Sequence, residues 1–77
     1  MKITNAEDIG RIIRQKRKGD GLTLEEAAAV CGVSYPFLSA LENGKESVIF
    51  DKLMQVLQGL GIELSASIRT WNAREDA

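Results

Sequence analysis

Seventy-seven residues at 8.4 kDa allow one domain around one small hydrophobic core. Hydrophobic side chains make up 44% of the chain and charged ones 27%, a globular balance that excludes a low-complexity spacer; the longest unbroken apolar run, residues 27–31, falls far short of the roughly 20 needed to cross a bilayer. Ten Lys and Arg stand against eleven Asp and Glu for a net charge of −1, which taken alone argues against a dedicated nucleic-acid binder.

In chain order, the first expected element is a helix capped by Thr4 or Asn5, with Glu7 or Asp8 three residues on. Ile9, Ile12 and Ile13 recur at helical spacing. Arg11, Arg14, Lys16, Arg17 and Lys18 gather half of the basic residues within eight positions; acids elsewhere do not cancel such a face, because salt screens charges beyond roughly 8–10 Å. The run also suits a solvated face, with Arg14 and Lys18, four apart, pointing together toward water. Gly19-Asp20-Gly21 ends the helix.

Thr23 opens a second helix with Glu26 at the capping-box position. Leu24, Ala27, Ala28 and Cys31 form its buried stripe, and Gly32 stops it after two turns. Ser34 caps a third helix, with Pro36 in the first turn where a missing N–H costs nothing. Phe37, Leu38 and Leu41 follow, and Asn43-Gly44 closes it. Phe50, Leu53, Met54, Leu57 and Leu60 mark a fourth helix ending at Gly61. Ile49 occupies its N-cap place, so Ser47 is the expected cap.

After Gly61 the period changes to two. Ile62, Leu64, Ala66 and Ile68 alternate with Glu63, Ser65, Ser67 and Arg69, a strand pattern with one apolar face. The chain offers no second strand to pair with it, and an unpaired edge leaves a row of unsatisfied N–H and C=O groups. The same strand from a second copy is the natural partner, which makes a two-fold homodimer; packing of the segment on its own helices is the other reading. Residues 70–77 are expected to be a flexible tail, with Trp71 either loose or an anchor for a partner protein.

Two short helices joined by a tight glycine turn, residues 23–31 and 34–42, make the helix-turn-helix pattern. Ala28 allows close approach of the pair and Gly32 supplies the turn. With those residues in place, LTLEEAAAVCGVSYPFLSALENGK resembles the helix-turn-helix of the Cro/C1-type (XRE) repressors, and FDKLMQVLQGLGIELSASIR resembles the HipB-type, or Y4mF-like, antitoxins among them. The resemblance covers residues 6–69.

It implies a mostly α, four-to-five-helix, lambda-repressor-like domain over residues 6–61, and a C-terminal β-strand over residues 62–69 pairing across a homodimer. It also implies a dimeric, cytoplasmic repressor of its own operon that binds a double-stranded DNA operator, and partnership as an antitoxin with a HipA-like serine/threonine kinase toxin. The third helix would enter the major groove, with Ser34, Tyr35, Phe37 and Ser39 at base edges and Arg17, Thr23, Asn43 and Lys45 on phosphates. Ile62, Leu64, Ala66 and Ile68 would form the dimer seam. Within the family the residue at Arg17 commonly pairs with the glutamate at Glu42, so a buried ion pair and a phosphate contact are both open to Arg17; Phe37 is likewise open to core packing.

Two departures from the family pattern bear on function. Leu24 stands where a phosphate-binding glutamine is usual. No Arg, Lys, Asn or Gln lies between Ser34 and Glu42, and those side chains make the bidentate base contacts worth ~1–3 kcal/mol each. Weak direct readout is therefore expected, with shape and dimer spacing contributing more. The alternative function is a protein-interaction module that has kept the fold and lost specific DNA binding. With no histidine, no phosphate-cradling glycine loop and a lone Cys31 without a base beside it, neither enzyme nor metal or other cofactor is expected. The absence of an apolar signal region after Met1 and of any membrane segment accords with a cytoplasmic protein.

Overall fold

The structure is a computed structural model, and it describes residues 2–69. Four helices run in order: α1 (Ala6–Gly19), α2 (Leu24–Cys31), α3 (Tyr35–Glu42) and α4 (Phe50–Gly59). Each starts and stops for a local reason. Asn5 caps α1, its side chain accepting from the Asp8 N–H at 2.9 Å. Thr4 takes a different part, donating both its backbone N–H (3.0 Å) and its hydroxyl (2.9 Å) to Asp8. Thr23 and Glu26 form the expected reciprocal capping box on α2, and Ser34 accepts from the Phe37 N–H to cap α3. Ser47 caps nothing: Ile49 is the N-cap residue of α4 and offers it no side-chain bond, which corrects the expectation.

The C-terminal ends share one device, in which the chain turns back through a glycine and two reverse backbone bonds satisfy the last carbonyls. After α2, Gly32 has φ 72° while Val33 N–H reaches Ala28 O at 3.0 Å. After α3, Gly44 has φ 84°, with Gly44 N–H to Leu41 O and Lys45 N–H to Ala40 O both at 3.1 Å. A side chain at such φ costs roughly 1–2 kcal/mol, so these glycines fix the angle at which α2 leads into α3 and α3 leads away.

Ile13, Leu38, Val56 and Leu57 are fully buried, and Ala27, Ala28, Cys31, Leu41, Leu53 and Leu60 complete the core. Large aliphatic side chains buried this way contribute about 1.5–3 kcal/mol each. α3 packs between α1 and α2, and α4 closes the other side of α2. Two glycines set how close the helices come. A Cβ on Gly10 would stand 2.5 Å from Leu41 O and 2.7 Å from Glu42 O, so α1 rests against the backbone of α3. A Cβ on Gly59 would meet Cys31 Sγ at 2.9 Å where α4 crosses α2.

The structure departs from the sequence reading in the stripe of α4 and in the expected strand. Phe50, placed first in the apolar stripe of α4, is 66% exposed, while Val56, absent from that stripe, is fully buried. No strand is assigned among the described residues, and no fifth helix either; residues 62–69 form no ladder within this single chain. Ile62 is half-buried against the core, Leu64 and Ala66 are exposed, and Ile68 is 95% exposed. Only the first residue of the segment's apolar face, Ile62, packs on the chain's own helices; from Leu64 to Ile68 that face is largely open. Trp71 and the expected tail, residues 70–77, lie outside the described residues.

Candidate nucleic-acid interface

The first turn of α3 stands out from the body. Ser34, Tyr35 and Pro36 are exposed, while Leu38 and Leu41 hold the opposite face in the core. Ser34 Oγ is occupied as an acceptor by the Phe37 N–H (3.2 Å) and keeps its own O–H to donate. Ser39 and Ala40, half-buried, continue the same side of the helix one turn later. Phe37 belongs elsewhere: it packs partly buried against the core, its ring 5.8 Å from Lys52 Nζ, beside a groove lined by Pro36, Ala40, Lys45, Val48 and Ile49. Of its two readings, packing is the one the geometry supports.

Behind the helix lies an ion-pair cluster. Arg17, 8% exposed, donates Nε to Glu42 Oε2 at 2.6 Å and Nη2 to Oε1 at 3.0 Å, a bidentate fork, and its Nη1 reaches Leu22 O at 2.9 Å. The hydrogen bonds it donates to Glu42 raise the Arg17 pKa further above its ordinary value, against the opposing effect of burial. With all three nitrogens engaged inside the fold, Arg17 fits the paired one of its two readings. Breaking such a buried pair leaves an uncompensated charge, which costs far more than the pair itself contributes.

Arg14 joins the same cluster. The sequence reading turned it toward water, and it is indeed exposed, but Nε also reaches Glu42 Oε1 at 3.4 Å and Nη2 reaches Asn43 Oδ1 at 3.2 Å. One turn separates it from Arg17 on the same face of α1. Asn43, exposed, also donates Nδ2 to Ser39 O at 2.9 Å. Lys45 follows on the exposed turn. Thr23 is exposed at the start of α2, its backbone N–H given to Glu26 at 2.9 Å and its Oγ1 accepting from Glu26. Glu25 and Glu26 bring negative charge to that helix end.

Gln55 is a residue the sequence reading passed over. Its Nε2 donates to Cys31 O (2.8 Å) and Gly32 O (3.1 Å), tying α4 to the turn between α2 and α3. Cys31 is buried, its thiol pKa pushed up by burial and its Sγ 3.6 Å from Val56 O, the setting of an inert packing residue. Among the described residues no group of three or more His, Cys, Asp or Glu is placed to hold a metal ion, and no helix is long and apolar enough to cross a membrane.

Comparison with known proteins agrees with this geometry. A family described as "Helix-turn-helix domain" matches residues 6–69, the span over which the resemblance was read. An uncharacterized HTH-type transcriptional regulator, y4mF of Sinorhizobium fredii (strain NBRC 101917 / NGR234), is 40% identical over 63 residues, 82% of this chain and 83% of that protein. Among solved structures, a chain of the HipA-HipB-O2-O3 complex superposes with a TM-score of 0.80 at 20% identity, covering 91% of this chain and 99% of that one. The clp gene regulator ClgR from C. glutamicum gives a TM-score of 0.67 at 34% identity, with 80% of each chain covered. At 20% identity the first likeness is one of fold; the relatives named as regulators speak for a regulator, and against an enzyme, at the level of the family.

Proposed function

The chain belongs to this helix-turn-helix family, and from that premise we propose that it is a dimeric, sequence-specific DNA-binding transcriptional repressor. The observation that carries the reading is the exposed first turn of α3, on a helix whose last residue is held by the Arg17–Glu42 fork and which Asn43 and Lys45 follow. In this reading the hydroxyls of Ser34, Tyr35 and Ser39 face base edges. Asn43 and Lys45 meet phosphates on one side, and the Thr23 hydroxyl meets them at the start of α2, where the acids Glu25 and Glu26 weaken the attraction. Arg17 and Phe37 support the helix from behind. With no bidentate base reader in α3, specificity rests largely on DNA shape and on the spacing of two copies.

Residues 62–68 supply the second copy. Their alternating pattern with exposed Leu64 and Ile68 suits antiparallel pairing with the same segment of another chain, a seam of Ile62, Leu64, Ala66 and Ile68. The fold likeness to a chain of the HipA-HipB-O2-O3 complex supports a finer role, the autoregulating antitoxin of a kinase toxin, and co-purification with a kinase encoded beside its gene tests that part. For DNA binding the test is a gel shift with the duplex upstream of its own gene. Retention should fall steeply between 50 mM and 200 mM salt, concentrations chosen where phosphate-dominated binding changes most. Lys45→Ala should weaken binding to all sequences alike and lower the log–log salt slope by about 0.9.

A second reading, an interaction module without specific DNA binding, draws on the acidic pI of about 5.3 and the donor-poor α3. It predicts no retention at low salt and a protein partner that Lys45→Ala leaves bound.

A further inference from the structure

We propose that Arg14 is a positioning residue of the DNA interface: it locks the Asn43 amide in one orientation, so that a single Nδ2–H is preset to donate to a DNA phosphate. The proposal rests on the DNA-binding reading above. A terminal amide can sit in two orientations that exchange its oxygen and its NH2 group. Here both ends are held. Oδ1 accepts from Arg14 Nη2 at 3.2 Å, and Nδ2 donates to Ser39 O at 2.9 Å. Flipping the amide would set its NH2 against a guanidinium and its oxygen against a carbonyl, two repulsive pairings in place of two bonds.

The backbone N–H of Asn43 is already given to Ser39 O and Ala40 O. Its second Nδ2 hydrogen is therefore the donor left over, on an exposed residue. Arg14 is available for this task because Glu42 takes its two shorter bonds from Arg17, at 2.6 and 3.0 Å against 3.4 Å to Arg14. Arg14 and Asn43 share a shallow groove with Glu42, Arg11 and Glu7; there Arg11 is engaged by Asp8 at 3.0 Å, and Glu7 lies under the Gly44 turn. A donor fixed before binding loses no rotamer freedom when it meets its acceptor.

The test compares Arg14→Ala, Asn43→Ala and the double variant for affinity to the upstream duplex at several salt concentrations. The Asn43 side-chain amide signals of the DNA-free proteins are recorded alongside by NMR. Arg14→Ala should lose about three- to tenfold in affinity, the net worth of one hydrogen bond, with an unchanged salt slope and a melting temperature close to that of the parent. The double variant should bind no more weakly than Asn43→Ala alone, and removal of Arg14 should shift and exchange-broaden the Asn43 amide pair. Additive losses with a slope lower by about 0.9 would make Arg14 a direct phosphate ligand and overturn the proposal. Unchanged affinity beside intact parental binding, or unmoved amide signals, would overturn it while leaving the DNA reading standing. A parent that retains no duplex at low salt overturns the DNA reading and, with it, any interfacial role for Arg14.

Discussion

Glu42 sits at 6% exposure with a guanidinium gripping both of its oxygens, and the local consequences of that burial are sharp. Glu42→Gln leaves the buried Arg17 charge without its counterion. Chemical denaturation should show a loss of about 3–5 kcal/mol, the range for one partner removed from a buried pair. Gly10→Ala drives a methyl into two backbone carbonyls that cannot step aside, and about 1–3 kcal/mol is expected in the same assay. Asp8 gives a pH signature. The backbone N–H of Thr4 first, then its hydroxyl and Arg11, hold the Asp8 carboxyl below its ordinary value of 3.8. A depressed carboxyl stabilises above its unfolded pKa and stops doing so as pH falls through the folded one, so the α1 start should be fully tied above about pH 3.8 and loosen only below it. Thr4→Ala should move the Asp8 titration seen by NMR upward, toward 3.8. Arg17 and Glu42 were legible in the sequence only as a family pairing. Gly10 and Arg14 were not, since only the packing of α1 on α3 brings them to Glu42 and Asn43.

Helix boundaries were the most readable feature, because caps and glycine stops act within four residues of chain. Thr23, Glu26, Ser34, Gly32 and Gly44 all carry the parts their positions announce. The start of α4 is the exception, and it suggests a gain: Ile49 is 61% exposed in extended backbone (φ −76°, ψ 122°) with no side-chain cap. Ile49→Asp should raise stability by about 0.5–1 kcal/mol in thermal unfolding, whereas Thr23→Ala should lose about 1 kcal/mol. The apolar stripe of α4 holds at Leu53, Met54, Leu57 and Leu60 and fails only at Phe50, while Val56 joins it unannounced. Helical periodicity alone does not tell whether the first residue of a pattern still faces the core, and Phe50, at the helix start, does not. Gln55 escaped notice because a polar residue on a helix signals nothing until the carbonyls of Cys31 and Gly32 lie within its reach.

For the whole molecule, the proposed dimer turns on residues 62–69. Residues 62–69 carry a strand's alternation, but hydrogen bonds to a neighbour define a strand, and the described residues supply no neighbouring strand. Leu64→Lys with Ile68→Lys should turn a dimer into a monomer by analytical ultracentrifugation while leaving the helical circular dichroism unchanged. The most direct check on the central claim is a hydroxyl-radical footprint on the DNA upstream of the gene. Two helix-turn-helix units on a two-fold axis should protect two patches about one helical turn apart, roughly 34 Å, at salt where the bound fraction is high. A single protected patch, or protection that follows DNA length irrespective of sequence, would contradict a dimeric, sequence-specific repressor.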